Sequence, residues 1–330
     1  SYKAFRKSGT YTGRRPVVYV AANDGMLHAF DARTGDEVFA YIPDAAVGKL
    51  PLLTANTFNT NHQLIHDGAP KALDAYVGGG WKTVLVGSLG GGGKGVYALN
   101  VTDPDNFGVG SVMWEFTSAN DSDMGDQVPQ ATIARLNNGK WGAIVPNGYN
   151  SAGQKAVLFV IDLETGAKLA ELDTGVGSDN GLSSPAPVDV DGDRITDYVY
   201  AGDLKGNLWK FDLTSSSASN WKIAFGSAGA WQPLWTACTA DPCTSTNRQP
   251  ITARPEVGIN PPEGYMVYFG TGRYFATGDN AAGSVNTFYA IRDRNEKDTV
   301  SPAPPTGGRA TLVQQEVIYE SSAMTFEDRD

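Results

Sequence analysis

Between Pro16 and Ile42 the chain reads PVVYVAANDGMLHAFDARTGDEVFAYI, three short runs of alternating or β-branched apolar positions broken at two turn signals. Asn23-Asp24-Gly25 ends the first run, Met26 to Asp31 forms the second, Thr34-Gly35 ends it, and Glu37 to Ile42 forms the third. A period of two between turn residues predicts three antiparallel strands in a meander. The pattern recurs at 82–116, 141–173, 197–225 and 265–292. In each copy a strand stops near a glycine, a turn follows, and the next run closes on an acid or its amide. Those closings are AFD at 29–31, ALN at 98–100, VID at 160–162, KFD at 210–212 and AIRD at 290–293.

Sheet units repeating every roughly 40–50 residues are the mark of a β-propeller, because one small sheet covers its faces only by stacking against the next. At about 45 residues per blade the chain has room for about seven. Five copies are clear. The stretches 51–80 and 305–320 are degenerate and are expected to supply remaining strands, with Gln314–Tyr319 (QQEVIY) a candidate to tie the ring shut. The expectation is an all-β fold with one propeller domain over 1–330, interrupted by long insertions near 44–70, 226–263 and 293–309. These are rich in Pro, Gly, Asn and Ala, and loops of such length are usually functional or disordered.

Composition agrees with many strands and many turns: 330 residues hold 39 glycines and 18 prolines, and only 19% are charged. The net charge of −10 comes with no basic stripe, which argues against a nucleic-acid partner. No run of 18 apolar residues is present, so no helical membrane span is expected. The chain opens on Ser1 and reads as a fragment of a longer protein. The two cysteines, Cys238 and Cys243 in CTADPC, are expected to close a small disulfide loop, since two ligands alone make a poor zinc site.

The sharpest chemical signal is DVDGDRITD at 189–197. Asp189, Asp191, Asp193 and Asp197 occupy positions 1, 3, 5 and 9 of one loop, and Ile195 at position 7 can offer its backbone carbonyl. Carboxylates crowded in this way repel one another unless a cation neutralises them, and hard oxygens at this spacing suit Ca2+. The match to an EF-hand loop is partial. Tyr200 stands at position 12 instead of a bidentate Glu, Arg194 stands at position 6 instead of Gly, and a strand-like run follows instead of a helix. The competing expectation is an acidic turn whose aspartates cap their own backbone.

Weaker features point nowhere specific. Asp121, Asp123 and Asp126 are irregularly spaced and read as a solvated loop; His28, His62 and His66 are scattered and read as packing or turn residues. There is no G-x-S-x-G nucleophile elbow, and Gly90 to Gly93 lack the Lys-Ser/Thr of a phosphate loop. An Arg-Gly-Asp tripeptide is also absent.

The elements VYVAANDGMLHAFDARTG and LFVIDLETG resemble the quinoprotein-type propeller repeat. That likeness raises a quinone-dependent dehydrogenase as an alternative. Against it, Cys238 and Cys243 are not adjacent, and the carboxylates form one contiguous loop instead of a dispersed axial site. Taken together, RPVVYVAANDGMLHAFDARTG (15–35), DVDGDRITDYVYAGDLKGNLWKFDL (189–213) and VYFGTGRYF (267–275) resemble the C-terminal domain of the PilY1/PilC family of type IV pilus biogenesis factors and pilus-tip adhesins. The resemblance implies a modified seven-bladed propeller binding Ca2+ through Asp189, Asp191, Asp193, Ile195 and Asp197. It further implies a non-enzymatic role at the bacterial cell surface and pilus tip, reached by export through the periplasm and outer membrane. Calcium there would govern pilus extension against retraction, and with it twitching motility and surface attachment. The implied partners are minor or major pilins and a host or abiotic surface. A propeller scaffold with purely structural calcium is a further alternative.

Overall fold

The run Val157–Asp162 is buried from end to end, whereas Phe288–Asp293 alternates strictly between exposed and buried positions. Both patterns follow from how many faces of a sheet are covered. The computed structural model describes residues 1–260, 264–276, 278–280, 285–295 and 308–315. Among these, five antiparallel sheets of three or more strands follow one another along the chain, here called blades I to V. Blade I is Val17–Ala21, Leu27–Asp31 and Glu37–Tyr41. Blade II is Lys71–Val77, Gly80–Ser88, Gly95–Asn100 and Val112–Thr117. Blade III is Thr132–Arg135, Trp141–Pro146, Val157–Asp162 and Lys168–Asp173. Blade IV begins Ala186–Val188, Tyr198–Gly202 and Asn207–Asp212, with Lys222–Ile223 and Trp235–Thr236 both pairing onto its third strand. Blade V is Glu256–Ile259, Tyr265–Gly270 and Phe288–Asp293.

Each blade packs a face on the next. Leu27 of blade I meets Leu85, Tyr97 and Leu99 of blade II. Val84 and Val96 of blade II share a core with Ile133, Val145 and Phe159 of blade III. Leu158 and Val160 of blade III pack with Val199, Trp209 and Phe211 of blade IV, and Tyr200 and Leu208 of blade IV with Val267, Phe269 and Ile291 of blade V. Blades II to IV are thus covered on both sides and read as unbroken apolar runs. The outer face of blade I leaves Val18 55% exposed, and that of blade V leaves Phe288 73% exposed.

The acids and amide that close the second strand of blade I and the third strands of blades II to V explain the recurring motif. The side chains of Asp31, Asn100, Asp162, Asp212 and Asp293 each accept from a backbone N–H two residues on, which turns the chain at the end of the strand. The spare carboxylate oxygens take cations: Arg15 on Asp31 and Lys140 on Asp162. Asp293 takes Lys210 from blade IV at 2.7 Å, both buried, together with the Tyr200 hydroxyl at 2.6 Å.

The insertions contain more regular structure than their composition indicates. The stretch 226–263 holds the hairpin Phe225–Ser227 with Ala230–Gln232, the pair Trp235–Thr236 and the first strand of blade V, Glu256–Ile259. Within 44–70 lie a short helix, Asp44–Val47, and a 3-10 turn, Leu50–Thr54. Residues 296–307 and 316–319 lie outside the described residues, and with them most of the 293–309 insertion and of the expected closing strand. Among the described residues no helix is long and apolar enough to cross a membrane.

Candidate metal centre

The first two strands of a blade are joined at one end, and strand register sets the length of each joint. Register leaves two residues, 78–79, between the paired strands in blade II. It leaves five, 136–140, in blade III and five, 260–264, in blade V. In blade IV, Val188 pairs with Tyr198, so nine residues, 189–197, fill the same place. The acidic loop is therefore an enlarged hairpin turn, flanked by the smaller turns of its neighbours.

Its aspartates build their own turns. Asp189 Oδ1 accepts from the N–H of Asp191 (3.2 Å) and Gly192 (2.7 Å), and Oδ2 from that of Arg194 (2.7 Å). Asp191 Oδ1 accepts from Asp193 N–H, and Asp193 Oδ1 from Ile195 N–H. Such side-chain-to-backbone bonds curl a polar segment without help from helix or sheet. Gly192 (φ +83°) and Arg194 (φ +68°) take the left-handed conformations the curl requires. Asp197 closes the loop: its N–H donates to Val188 O, and its Oδ2 accepts from Val190 N–H at 2.9 Å.

The backbone capping of the competing expectation is therefore present. Beyond it, carboxylate oxygens of Asp189, Asp191 and Asp197 all lie within 4.8 Å of one another. Two oxygens each about 2.4 Å from a single calcium ion are at most about 4.8 Å apart, so the spacing of the three meets the condition for sharing one ion. Asp193 is outside this trio, exposed, and engaged with Ile195 N–H. Among the described residues the Ile195 carbonyl oxygen accepts no hydrogen bond. Tyr200, at position 12, turns away from the loop into the interface with blade V.

The electrostatics mark the site as short of positive charge. None of the ion pairs among the described residues includes Asp189, Asp191, Asp193 or Asp197. Burial pushes the Asp197 carboxyl up, and the charges of Asp191 and Asp189 add to this, outweighing the bonds from Val190 and Asn137. Burial acts the same way on Asp189, but the N–H groups of Arg194, Gly192 and Asp191 outweigh it and hold this carboxyl below its ordinary value. The donor set, hard oxygens converging on one point with no basic partner, fits calcium.

Two residues absent from the sequence reading touch the loop. Asn137 comes from the blade III turn, with its Nδ2 3.1 Å from Thr196 O, 3.1 Å from Leu213 O and 3.4 Å from Asp197 Oδ1. Tyr265 opens the second strand of blade V, and its hydroxyl donates to Val190 O at 3.4 Å. Burial, then the charges of Asp197 and Asp189, raise that phenol. Both residues lie over 50 positions from the loop and belong to ordinary hairpins, so neither carries a local signal.

The remaining candidates are accounted for locally. Asp121, Asp123 and Glu171 also converge, but the Lys168 ammonium pairs with both Asp121 and Glu171 and supplies the cation itself. Asp126 accepts from Asn150 Nδ2. His28 is held between Glu37 and Asp24, His62 contacts Asn23, and buried His66 contacts the Tyr97 hydroxyl. Cys238 and Cys243 are joined as a disulfide with Cα atoms 5.6 Å apart.

Comparison with known proteins gives one answer. A family model described as the PilY1 beta-propeller domain matches residues 1–329. The type IV pilus biogenesis factor PilY1 of Pseudomonas aeruginosa PAO1 is 44% identical over 94% of this chain and 28% of its own length. A PilY1 homolog from Xylella fastidiosa is 40% identical over 99% of this chain and 22% of its own. The crystal structure of the P. aeruginosa PilY1 C-terminal domain superposes with a TM-score of 0.80 at 40% identity, covering 94% of this chain and 63% of that one. The chain thus spans about a quarter of the length of the P. aeruginosa and X. fastidiosa proteins. It belongs to the PilY1 β-propeller family.

Proposed function

We propose that this chain is a single calcium-binding propeller domain of a type IV pilus biogenesis factor and tip adhesin, and that calcium occupancy biases pili between extension and retraction. The observation that carries the metal reading is the convergence of Asp189, Asp191 and Asp197 within 4.8 Å without a basic partner. Asp193 and the Ile195 carbonyl are the further ligands in this reading. Bound calcium would supply the positive charge that lets the carboxylates remain close. The names of the relatives support the pilus assignment. On this reading the domain works at the bacterial cell surface after export through the periplasm and outer membrane. Pilins and a host or abiotic surface are its partners, and it makes or breaks no bond.

Isothermal titration of the chelator-stripped chain tests the metal: the wild type is expected to bind one calcium ion, and Asp197→Ala to bind none. The link to pili is tested by introducing the same substitution in the full-length protein in its host, where surface piliation and twitching should change. Loss of calcium binding with unchanged piliation would favour a purely structural ion.

A further inference from the structure

We propose that Asn137 is a positioning residue for the calcium loop, acting from the neighbouring blade. The inference rests on the calcium reading above and adds a residue to it that ligates nothing. The Asn137 amide nitrogen carries two hydrogens and stands within reach of three acceptors, all on blade IV. Thr196 O and Leu213 O are backbone groups on either side of Asp197 in space, for Leu213 N–H itself donates to Asp197 O at 2.8 Å. The third acceptor is Oδ1 of Asp197, whose other oxygen is held by Val190 N–H. Asn137 therefore grips the backbone that carries the buried ligand and touches the ligand's carboxylate as well. A parallel backbone contact, Thr196 N–H to Arg135 O at 2.9 Å, joins the same two blades. The blade III turn is itself fixed, with Gly139 N–H donating to Leu136 O, so Asn137 projects from a closed hairpin and not from a floppy loop.

Ligands gain affinity when a surrounding hydrogen bond fixes them in the binding orientation, and removing such a partner typically weakens metal binding about 10–100-fold. Asn137→Ala also leaves two buried carbonyls without their side-chain donor. The expected outcome is calcium affinity lower by about tenfold, measured by titration under conditions where the variant and the wild type are both folded. A residue that merely supports the fold would lower the melting temperature and leave the affinity of the folded chain unchanged. Should Asn137→Ala fail to fold, the wild type carries the test through amide hydrogen exchange. Calcium loading should slow exchange at Thr196 and across 136–140 of blade III, not only within 189–197. Unchanged affinity in a folded Asn137→Ala chain, or exchange at 136–140 indifferent to calcium, overturns the proposal. Asp197→Ala separates the two readings. If it still binds calcium, the site is wrong and the proposal falls with it; if it loses calcium while Asn137→Ala binds as the wild type does, the proposal alone falls.

Discussion

At position six of the acidic loop the amino acid departs from an EF-hand but the backbone does not. Arg194 has φ +68°, the region a glycine would enter freely. For a side-chain-bearing residue this conformation costs roughly 1–2 kcal/mol, held in place here by the bond from Arg194 N–H to Asp189 Oδ2. Arg194→Gly removes that strain but frees the unfolded chain by roughly 0.5–1 kcal/mol, so it is expected to alter stability by less than about 1 kcal/mol and to keep calcium binding. Arg194→Val puts a branched Cβ into the same region and should destabilise the calcium-free chain by about 1–2 kcal/mol. Thermal unfolding with and without chelator checks both. The sequence displayed the candidate ligand spacing of Asp189, Asp191 and Asp197 because all three sit in one loop. It hid the positive φ of Arg194, because residue identity is only a weak guide to a dihedral that neighbouring hydrogen bonds impose.

Among the elements, the third strands were the most legible and the first strands the least. In blades II to V these strands end on an acid or amide that bonds its own turn, as Asp162 does with Glu164 N–H, so the motif and the turn are one feature. First strands such as Ala186–Val188 and Thr132–Arg135 are three or four residues long, too short for alternation to declare itself, and Ala186–Val188 carries Pro187 at its centre. Within blade I a cross-strand pair gives a pH-dependent contribution. His28 on the second strand contacts Glu37 on the third at 2.6 Å and Asp24 in the preceding turn at 2.9 Å. The Glu37 bond raises the imidazole above its ordinary value of 6.5, burial opposes this, and Asp24 reinforces it. A raised folded-state value means stabilisation that is complete below 6.5 and lost as pH climbs through the raised value. Glu37→Gln should therefore lower the melting temperature more at pH 6 than at pH 9. The difference is expected to be below about 1 kcal/mol because Glu37 is exposed. Equal losses at both pH values would sink this account.

Across the whole molecule, the stacking order follows the chain order, so each repeat met in sequence is the neighbour met in space. That is why the propeller class was readable from periodicity, whereas contacts between repeats, such as the buried Lys210–Asp293 pair, were not. The acid that closes the third strand of blade V looks like its counterparts in blades I and III, yet it draws its cation from the adjacent sheet. The joint between the first and second strands has a different consequence. Because blades II, III and V close the same joint with two or five residues, the candidate ligand segment is an exchangeable cassette on a scaffold that does not depend on it for topology. Transplanting LNNGK (136–140) between Val188 and Tyr198 should give a chain that folds, as judged by near-ultraviolet circular dichroism, and no longer responds to calcium. On the calcium reading, a single insertion or deletion at this joint would gain or erase metal dependence and leave the blades unaltered.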